Sequence, residues 1–285
     1  MERRKFDDGT ASLSLLALGG SRIGSVSSTV SRATVERVVQ TALEYGITVF
    51  DTANIYGQGD SERELGRLLA AWPEVTIVTK VGKQFPRWAQ RVSLLKPLAR
   101  LVAQLSPAGR RVVLARRSSA TAYTLDPSQL AVEVDRSRQR LNRDTLDGLL
   151  LHGPSPEHMN DPRLQDELAR IRDKGWARHV GVSVEDLAGM ASAVQLPHIT
   201  LVQISAADLA GAQQSGLLQQ AHARGIGVMV REVLRSRAPD QSVAQAIAAA
   251  SEPPSVTTVV VGTTNPAHLA EIAGDLPQLE RSRVQ

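Results

Sequence analysis

The chain contains no cysteine, which excludes disulfides and thiolate metal sites and makes a reducing, cytoplasmic setting the natural expectation. No apolar run is long enough to span a bilayer, and the opening MERRKFDDGT lacks the apolar centre of a signal peptide. Acidic residues are missing between Glu74 and Asp126, while ten Lys and Arg, from Lys80 to Arg117, fall there. Such a block can attract a phosphate, an acidic substrate or a membrane surface. Its aromatic residues are few, Phe85 and Trp88 foremost, so a solvated arginine-rich loop is the simpler reading, and neither nucleic acid nor membrane is expected as a partner. The net charge of +4 is too modest to change that.

What is present reads as a soluble globular chain, 42% hydrophobic and 22% charged over 285 residues, expected to form a single domain spanning 1–285. After a hairpin turning at Asp8-Gly9, short apolar runs alternate with helix-like segments. The runs are Leu15–Leu18, Thr48–Phe50, Val75–Thr79, Leu149–Leu151, His179–Val182, Ile199–Ile204, Gly227–Val230 and Thr257–Val261. Ser61 with Glu64 has the spacing of a capping box. Asp126-Pro127 and Asn265-Pro266 each place a cap before a first-turn proline. One helix is expected over Gly211–Arg224 and another over Pro266–Ile272. Eight strand–helix units predict an α/β fold, a (β/α)8 TIM barrel with an N-terminal β-hairpin. An open doubly wound sheet is disfavoured, because Gly19-Gly20-Ser21-Arg22-Ile23-Gly24 lacks the dinucleotide spacing. The rhythm breaks once, at 81–124, a basic insertion whose apolar stripe at 91–105 suggests a helical lid over the barrel mouth.

Barrel active sites lie at the C-terminal ends of the strands. The polar residues there are Asp51, Lys80, His152, Ser183, Gln203 and Arg231, with Tyr56 in the loop beyond Asp51. Singly, each has a structural alternative. Asp51 can cap a turn, Lys80 can snorkel, His152 can be a hydrogen-bonded core histidine, and Tyr56 can anchor a loop. Together they suit acid catalysis. A phenol, with a pKa near about 10, is a reluctant donor at neutral pH, and a nearby ammonium is expected to lower that value. Lys80 supplies the charge, Asp51 orients Lys80, His152 orients a carbonyl oxygen, and Tyr56 delivers the proton.

The ordered stretches FDTANIYGQGDSERELG, VTIVTKVG, RLNRDTLDGLLLHGP, GVSVED, LVQIS and VVVGTTNPAHLAE resemble the aldo-keto reductase family. The resemblance covers nearly the whole chain apart from 81–124. It implies a (β/α)8 barrel that reduces a small-molecule carbonyl with NADPH, or NADH as the alternative. It places Asp51, Tyr56, Lys80 and His152 on the family's catalytic tetrad, and Ser183 and Gln203 on nicotinamide-carboxamide positions. Gly262, Thr263 and Thr264 fall on the segment that cradles the adenosine-side phosphate, where a helix N-terminus suits an anion. Gly20, Ser21, Arg22, Arg231, His268 and Glu271 complete the candidate cofactor contacts.

Several cofactor positions depart from the family pattern. Val184 stands for a carboxamide-binding Asn, Ala206 for a ring-stacking aromatic, and Ile272 for an adenine-contacting Asn. His268 stands where a long polar residue often meets the 2′-phosphate. Arg231-Glu232 admits three roles, an internal ion pair, a pyrophosphate contact or a clamp for an anionic substrate, of which the ion pair is preferred. Two alternatives to carbonyl reduction stay open: a dehydratase, cyclase or isomerase on the same barrel, and a non-catalytic nucleotide-binding regulator.

Overall fold

The computed structural model describes residues 1–6, 9, 11–23, 30–84, 122–123 and 126–283. The insertion, including the 91–105 stripe, lies almost entirely outside the described residues, as does Asp8 of the expected turn. β1 (Arg3–Phe6) and β2 (Ala11–Ser14) form the antiparallel hairpin, Arg3 opposite Ser14. Then come β3 (Leu16–Gly19), α1 (Arg32–Glu44), β4 (Val49–Asp51), α2 (Asp60–Leu68) and β5 (Thr76–Val81). A short antiparallel ribbon of β6 (Lys83–Gln84) and β7 (Ala122–Tyr123) brackets the insertion. α3 (Leu130–Leu141), β8 (Leu146–His152), α4 (Pro156–Met159), α5 (Pro162–Asp173), β9 (Ala177–Ser183) and α6 (Leu187–Ala193) follow. The chain continues with β10 (Leu201–Ser205), α7 (Leu209–Gln214), α8 (Leu217–Ala223), β11 (Gly227–Arg231) and α9 (Val233–Ser236). It ends with α10 (Val243–Ala250), β12 (Val256–Val261) and α11 (Pro266–Arg283).

Eight of these strands close a parallel barrel in the order β3-β4-β5-β8-β9-β10-β11-β12, with β12 returning to β3. Two apolar cores follow from period-two alternation. Inside the barrel sit Ala17, Val49, Val78, Leu150, Leu201, Met229 and Val260, and Phe6 and Leu13 of the hairpin plug its floor. Phe50, Ile77, Leu149, Leu151 and Val182 face outward, into the core shared with helix residues such as Leu65, Val134 and Leu168. Each such fully buried aliphatic side chain contributes about 1.5–3 kcal/mol. The floor is therefore closed, and the opposite end is left for polar groups.

Three local expectations are corrected. The helix expected over Gly211–Arg224 is split, because Gly216 takes a left-handed φ of 75° and Ser215 folds its hydroxyl back onto the Gly211 carbonyl at 2.7 Å. The last helix runs on to Arg283 instead of ending at Ile272. Ser61 does not cap α2; Gly59 does. The Ser61 side chain faces inward, where a buried hydroxyl needs partners, and it donates to the Gly20 carbonyl at 3.0 Å and meets Thr52 Oγ1 at 2.8 Å. The two proline-bearing starts behave as expected, with Asp126 accepting from Ser128 N–H at 2.9 Å and Asn265 from Ala267 N–H at 3.0 Å. Among the described residues no helix is long and apolar enough to cross a membrane.

Candidate active site

The alternation that fills the barrel also delivers the site. Val49, Val78, Leu150, Leu201 and Met229 face the axis, so the side chains two residues later face it too, one layer nearer the mouth. Those residues are Asp51, Lys80, His152, Gln203 and Arg231. Ser183 joins the same layer, in register with Gln203 on one side and His152 on the other. One cleft of about 820 Å³ is lined by Asp51, Tyr56, His152, Ser183, Gln203, Arg231, Gly262, Thr263 and His268, with Ser21 and Arg22 at its edge. That volume falls within the usual range of about 300–1,000 Å³ for ligand pockets.

Tyr56 reaches the cleft from a turn. Gly57, Gln58 and Gly59 all take positive φ, at 59°, 59° and 86°, a conformation glycine adopts at little cost. The reversal lets α2 start at Asp60 and bury Ser61, Glu62, Leu65 and Gly66. Glu62 is fully buried and anchors the helix to both neighbours, accepting from Thr79 Oγ1 at 2.6 Å and Arg140 Nε at 2.5 Å. Thr79 lies beside Lys80 on the opposite face of β5, so this contact also positions the lysine. A side chain at Gly66 would sit 2.6 Å from the Leu141 carbonyl, which is why α2 can lie so close to α3.

At the floor of the cleft Lys80 is buried, with Nζ 2.7 Å from both Asp51 carboxylate oxygens and 2.9 Å from the Thr52 carbonyl. Burial by itself would push this ammonium down. Asp51, helped by Tyr56, more than offsets it, so Lys80 stays charged with its pKa raised. Its Nζ lies 5.2 Å from the centre of the Tyr56 ring. The expected net lowering of the Tyr56 pKa is overturned. Burial raises it, Lys80 lowers it and Asp51 raises it again, leaving a phenol firmly protonated at neutral pH, above its ordinary value of 10.0. His152 meets the Tyr56 ring edge-on, 6.1 Å between centroids. Burial first, then the positive charges of Lys80, Lys83 and Arg231, hold the imidazole well below 6.5 and therefore neutral. Its Nδ1 is buried without a hydrogen-bond partner among the described residues.

The carboxamide candidates are tied to this acid group. Ser183 Oγ donates to Gln203 Oε1 at 2.9 Å, and Gln203 Nε2 donates to Asp51 Oδ1 at 2.8 Å. Gln203 retains one N–H and Ser183 retains its acceptor lone pairs.

The rim holds charges that strand-end reading alone did not assemble. Lys83 Nζ lies 2.5 Å from Glu185, and Arg231 lies 4.0 Å from Glu185 and 3.4 Å from Glu232. Arg231 also donates to the Val184 carbonyl at 2.9 Å. The available signal for Glu185 was its place two residues after Ser183, on the same inward face of the extended chain. The Arg231–Glu232 pair expected from sequence is present, but only as one link of this chain.

Other candidates fall outside the cleft lining. Gly20, Thr264 and Glu271 do not line it. The Gly20 backbone is occupied with Asp51 and Ser61, and a Cβ there would lie 2.7 Å from Ser61 Oγ. Glu271 is exposed. Ile272 is buried in the core beneath α11, so that position packs the barrel. Val184 is buried, and Ala206 is packed at the edge of the outer core with no ring to offer.

A profile described as the aldo/keto reductase family matches residues 15–245. An uncharacterized oxidoreductase of Bacillus subtilis, YcsN, is 28% identical over 158 residues, covering 54% of this chain and 44% of that protein. The aligned stretches span less than half the length of the curated relatives. The aldo-keto reductase AKR11C1 of Bacillus halodurans, solved in holo form, superposes with a TM-score of 0.73 at 17% identity, covering 96% of this chain and 90% of that one. An aldo-keto reductase of Klebsiella pneumoniae, solved in complex with NADPH, gives a TM-score of 0.62 at 18% identity, covering 97% and 90%. At those identities the superpositions establish the barrel fold. With the family profile spanning most of its length, the chain belongs to the aldo/keto reductase family.

Proposed function

We propose that the protein reduces the carbonyl of a small organic aldehyde or ketone to an alcohol, with Tyr56 as general acid and NADPH as cofactor. The observation that carries this reading is the buried Asp51–Lys80 pair set against the Tyr56 ring, with a neutral His152 facing the same phenol. A carbonyl oxygen entering the cleft meets two neutral donors, the phenol and the imidazole, above a fixed ammonium. As negative charge grows on that oxygen, Tyr56 Oη gives up its proton, and Lys80 stabilises the phenolate left behind. Asp51 keeps Lys80 charged and oriented, and Gln203 in turn holds Asp51.

The residues present fit a dinucleotide. Gly262 is exposed, with open space where a Cβ would stand, so the backbone is approachable at the start of α11. Thr263, His268 and Arg22 line the same cleft as Tyr56, and Ser183 and Gln203 offer donors and acceptors to a carboxamide. When bound, NADPH supplies the hydride that the carbonyl carbon accepts, which no side chain can donate. The NADPH complex of the Klebsiella pneumoniae barrel supports the choice of cofactor.

The test combines calorimetric titration of NADPH and NADH with turnover of a panel of aldehydes and ketones, read as loss of reduced-nicotinamide absorbance. Binding of neither cofactor at millimolar concentration rules the proposal out. Ala206 and Val184, which lack the ring and amide of the family pattern, favour a second reading in which the same acid set serves a dehydration or isomerisation. Product formed without cofactor consumption would select it.

A further inference from the structure

Arg231 has an unusual balance of partners. Its guanidinium carries five N–H donors in a planar fork. Among the described residues it makes one hydrogen bond, to the Val184 carbonyl at 2.9 Å. The carboxylates beside it, Glu232 at 3.4 Å and Glu185 at 4.0 Å, lie beyond hydrogen-bonding length of about 3.2 Å. Glu185 is engaged more tightly elsewhere, by Lys83 at 2.5 Å. Glu232 is shared with Arg235, whose guanidinium lies 3.8 Å from its other carboxylate oxygen, and it sits at a φ of 65°, uncommon for a residue with a Cβ. Arg231 is nonetheless well inside the cleft, 21% exposed, with Tyr56 and His152 lining the same space. Among the described residues the cleft lining holds four cations, Arg22, Lys83, Arg231 and Arg235, against Glu185 and Glu232, since Asp51 is committed to Lys80. The positive charge of Arg231 is also felt at both the Tyr56 phenol and the His152 imidazole.

We infer that Arg231 is a specificity residue that grips a carboxylate on the substrate, so that the preferred substrate is a carbonyl compound bearing a carboxylate. A planar guanidinium fork with open donors is matched by a carboxylate in bidentate geometry. The two glutamates already hold its place loosely, and the incoming carboxylate takes over from Glu232 without stranding Arg231, which keeps its bond to Val184. The reacting carbonyl in this inference rests on the reduction reading; the carboxylate grip does not.

The experiment separates the two. Calorimetry with benzoate and with benzamide, on the protein alone and with NADPH present, reads the grip without turnover. Wild-type protein is expected to bind benzoate about tenfold more tightly than benzamide, Arg231→Gln to erase the difference, and Glu232→Gln to widen it by removing the competitor. In steady-state assays Arg231→Gln raises KM for 4-carboxybenzaldehyde about tenfold more than it raises KM for benzaldehyde. Equal binding of benzoate and benzamide by the wild type overturns the inference. So does an equal loss for both aldehydes, or a loss of NADPH affinity with the benzoate preference intact, which assigns Arg231 to the cofactor. If Arg231→Gln fails to fold, Glu232→Gln decides, and unchanged benzoate affinity there overturns the inference. Benzoate discrimination with no turnover of either aldehyde retires the reduction reading and leaves the carboxylate grip standing.

Discussion

The two arcs of the barrel mouth are built to different standards. On the arc of β4, β5 and β8, Asp51, Lys80 and His152 are buried, and the ion pair is closed at 2.7 Å. Across the mouth, at the ends of β9 and β11, Arg231 is partly buried, Glu185 and Glu232 are exposed, and Arg231 stands 3.4 Å from Glu232 and 4.0 Å from Glu185. A proton donor needs a dry surrounding and a fixed counter-charge, because its effect depends on small differences in solvation. Ligand recognition tolerates looser, wetter pairs that can exchange partners. Gln203 joins the arcs, bonded to Asp51 on one side and Ser183 on the other.

The sharpest way to break this contrast is Tyr56→Phe. It is expected to lower kcat by about 10²–10⁴-fold while NADPH affinity, measured by calorimetry, stays the same. Activity kept within a few-fold would remove Tyr56 from the mechanism. Lys80→Met comes next, since it strands the Asp51 carboxylate in the interior. Urea unfolding should show a loss of about 3–5 kcal/mol. Arg231→Gln, on the exposed arc, should cost at most about 1 kcal/mol. Similar losses for the two would erase the distinction between the arcs.

A smaller effect lies in pH. His152 is held neutral well below 6.5, chiefly by burial and then by the charges of Lys80, Lys83 and Arg231. The unfolded chain takes up this proton near 6.5 and the folded one does not. Stability therefore declines as pH falls below that point toward the folded value. Thermal melts between about pH 7 and pH 5 should show His152→Gln losing less stability than wild type. Parallel curves would mean the imidazole carries no such penalty. The smallest change expected is from Ala206→Tyr, which adds a ring just beyond β10, where the proposed NADPH binding would use one. It should tighten NADPH binding by roughly 2–10-fold, and weaker binding would show that a ring does not fit there.

Much of the site was legible because a strand repeats every two residues. Asp51, Lys80, His152 and Gln203 each follow an interior apolar residue by two positions, so their convergence is a property of the pattern once the barrel is granted. Ser61 departs from its local signal, because its partners come from elsewhere in the chain. Capping-box spacing is a local signal, whereas burial against Gly20 and Thr52 is decided by a neighbouring loop. Ile272 likewise matched a cofactor position by order along the chain, yet its helix face turns it into the core.

The order of strands and helices, the charge-bearing strand ends and the glycines that turn the chain after Tyr56 were set by residue order, because periodicity and backbone preference are local. The balance of forces was not. Whether Lys80 or burial governs the Tyr56 phenol depends on how much water the packed barrel excludes, and burial prevails. The rim chain from Lys83 through Glu185 to Arg231 joins residues 83, 185 and 231 across the mouth. Only closure of the barrel brings those charges within reach, since Coulomb attraction acts on distance in space and not along the sequence.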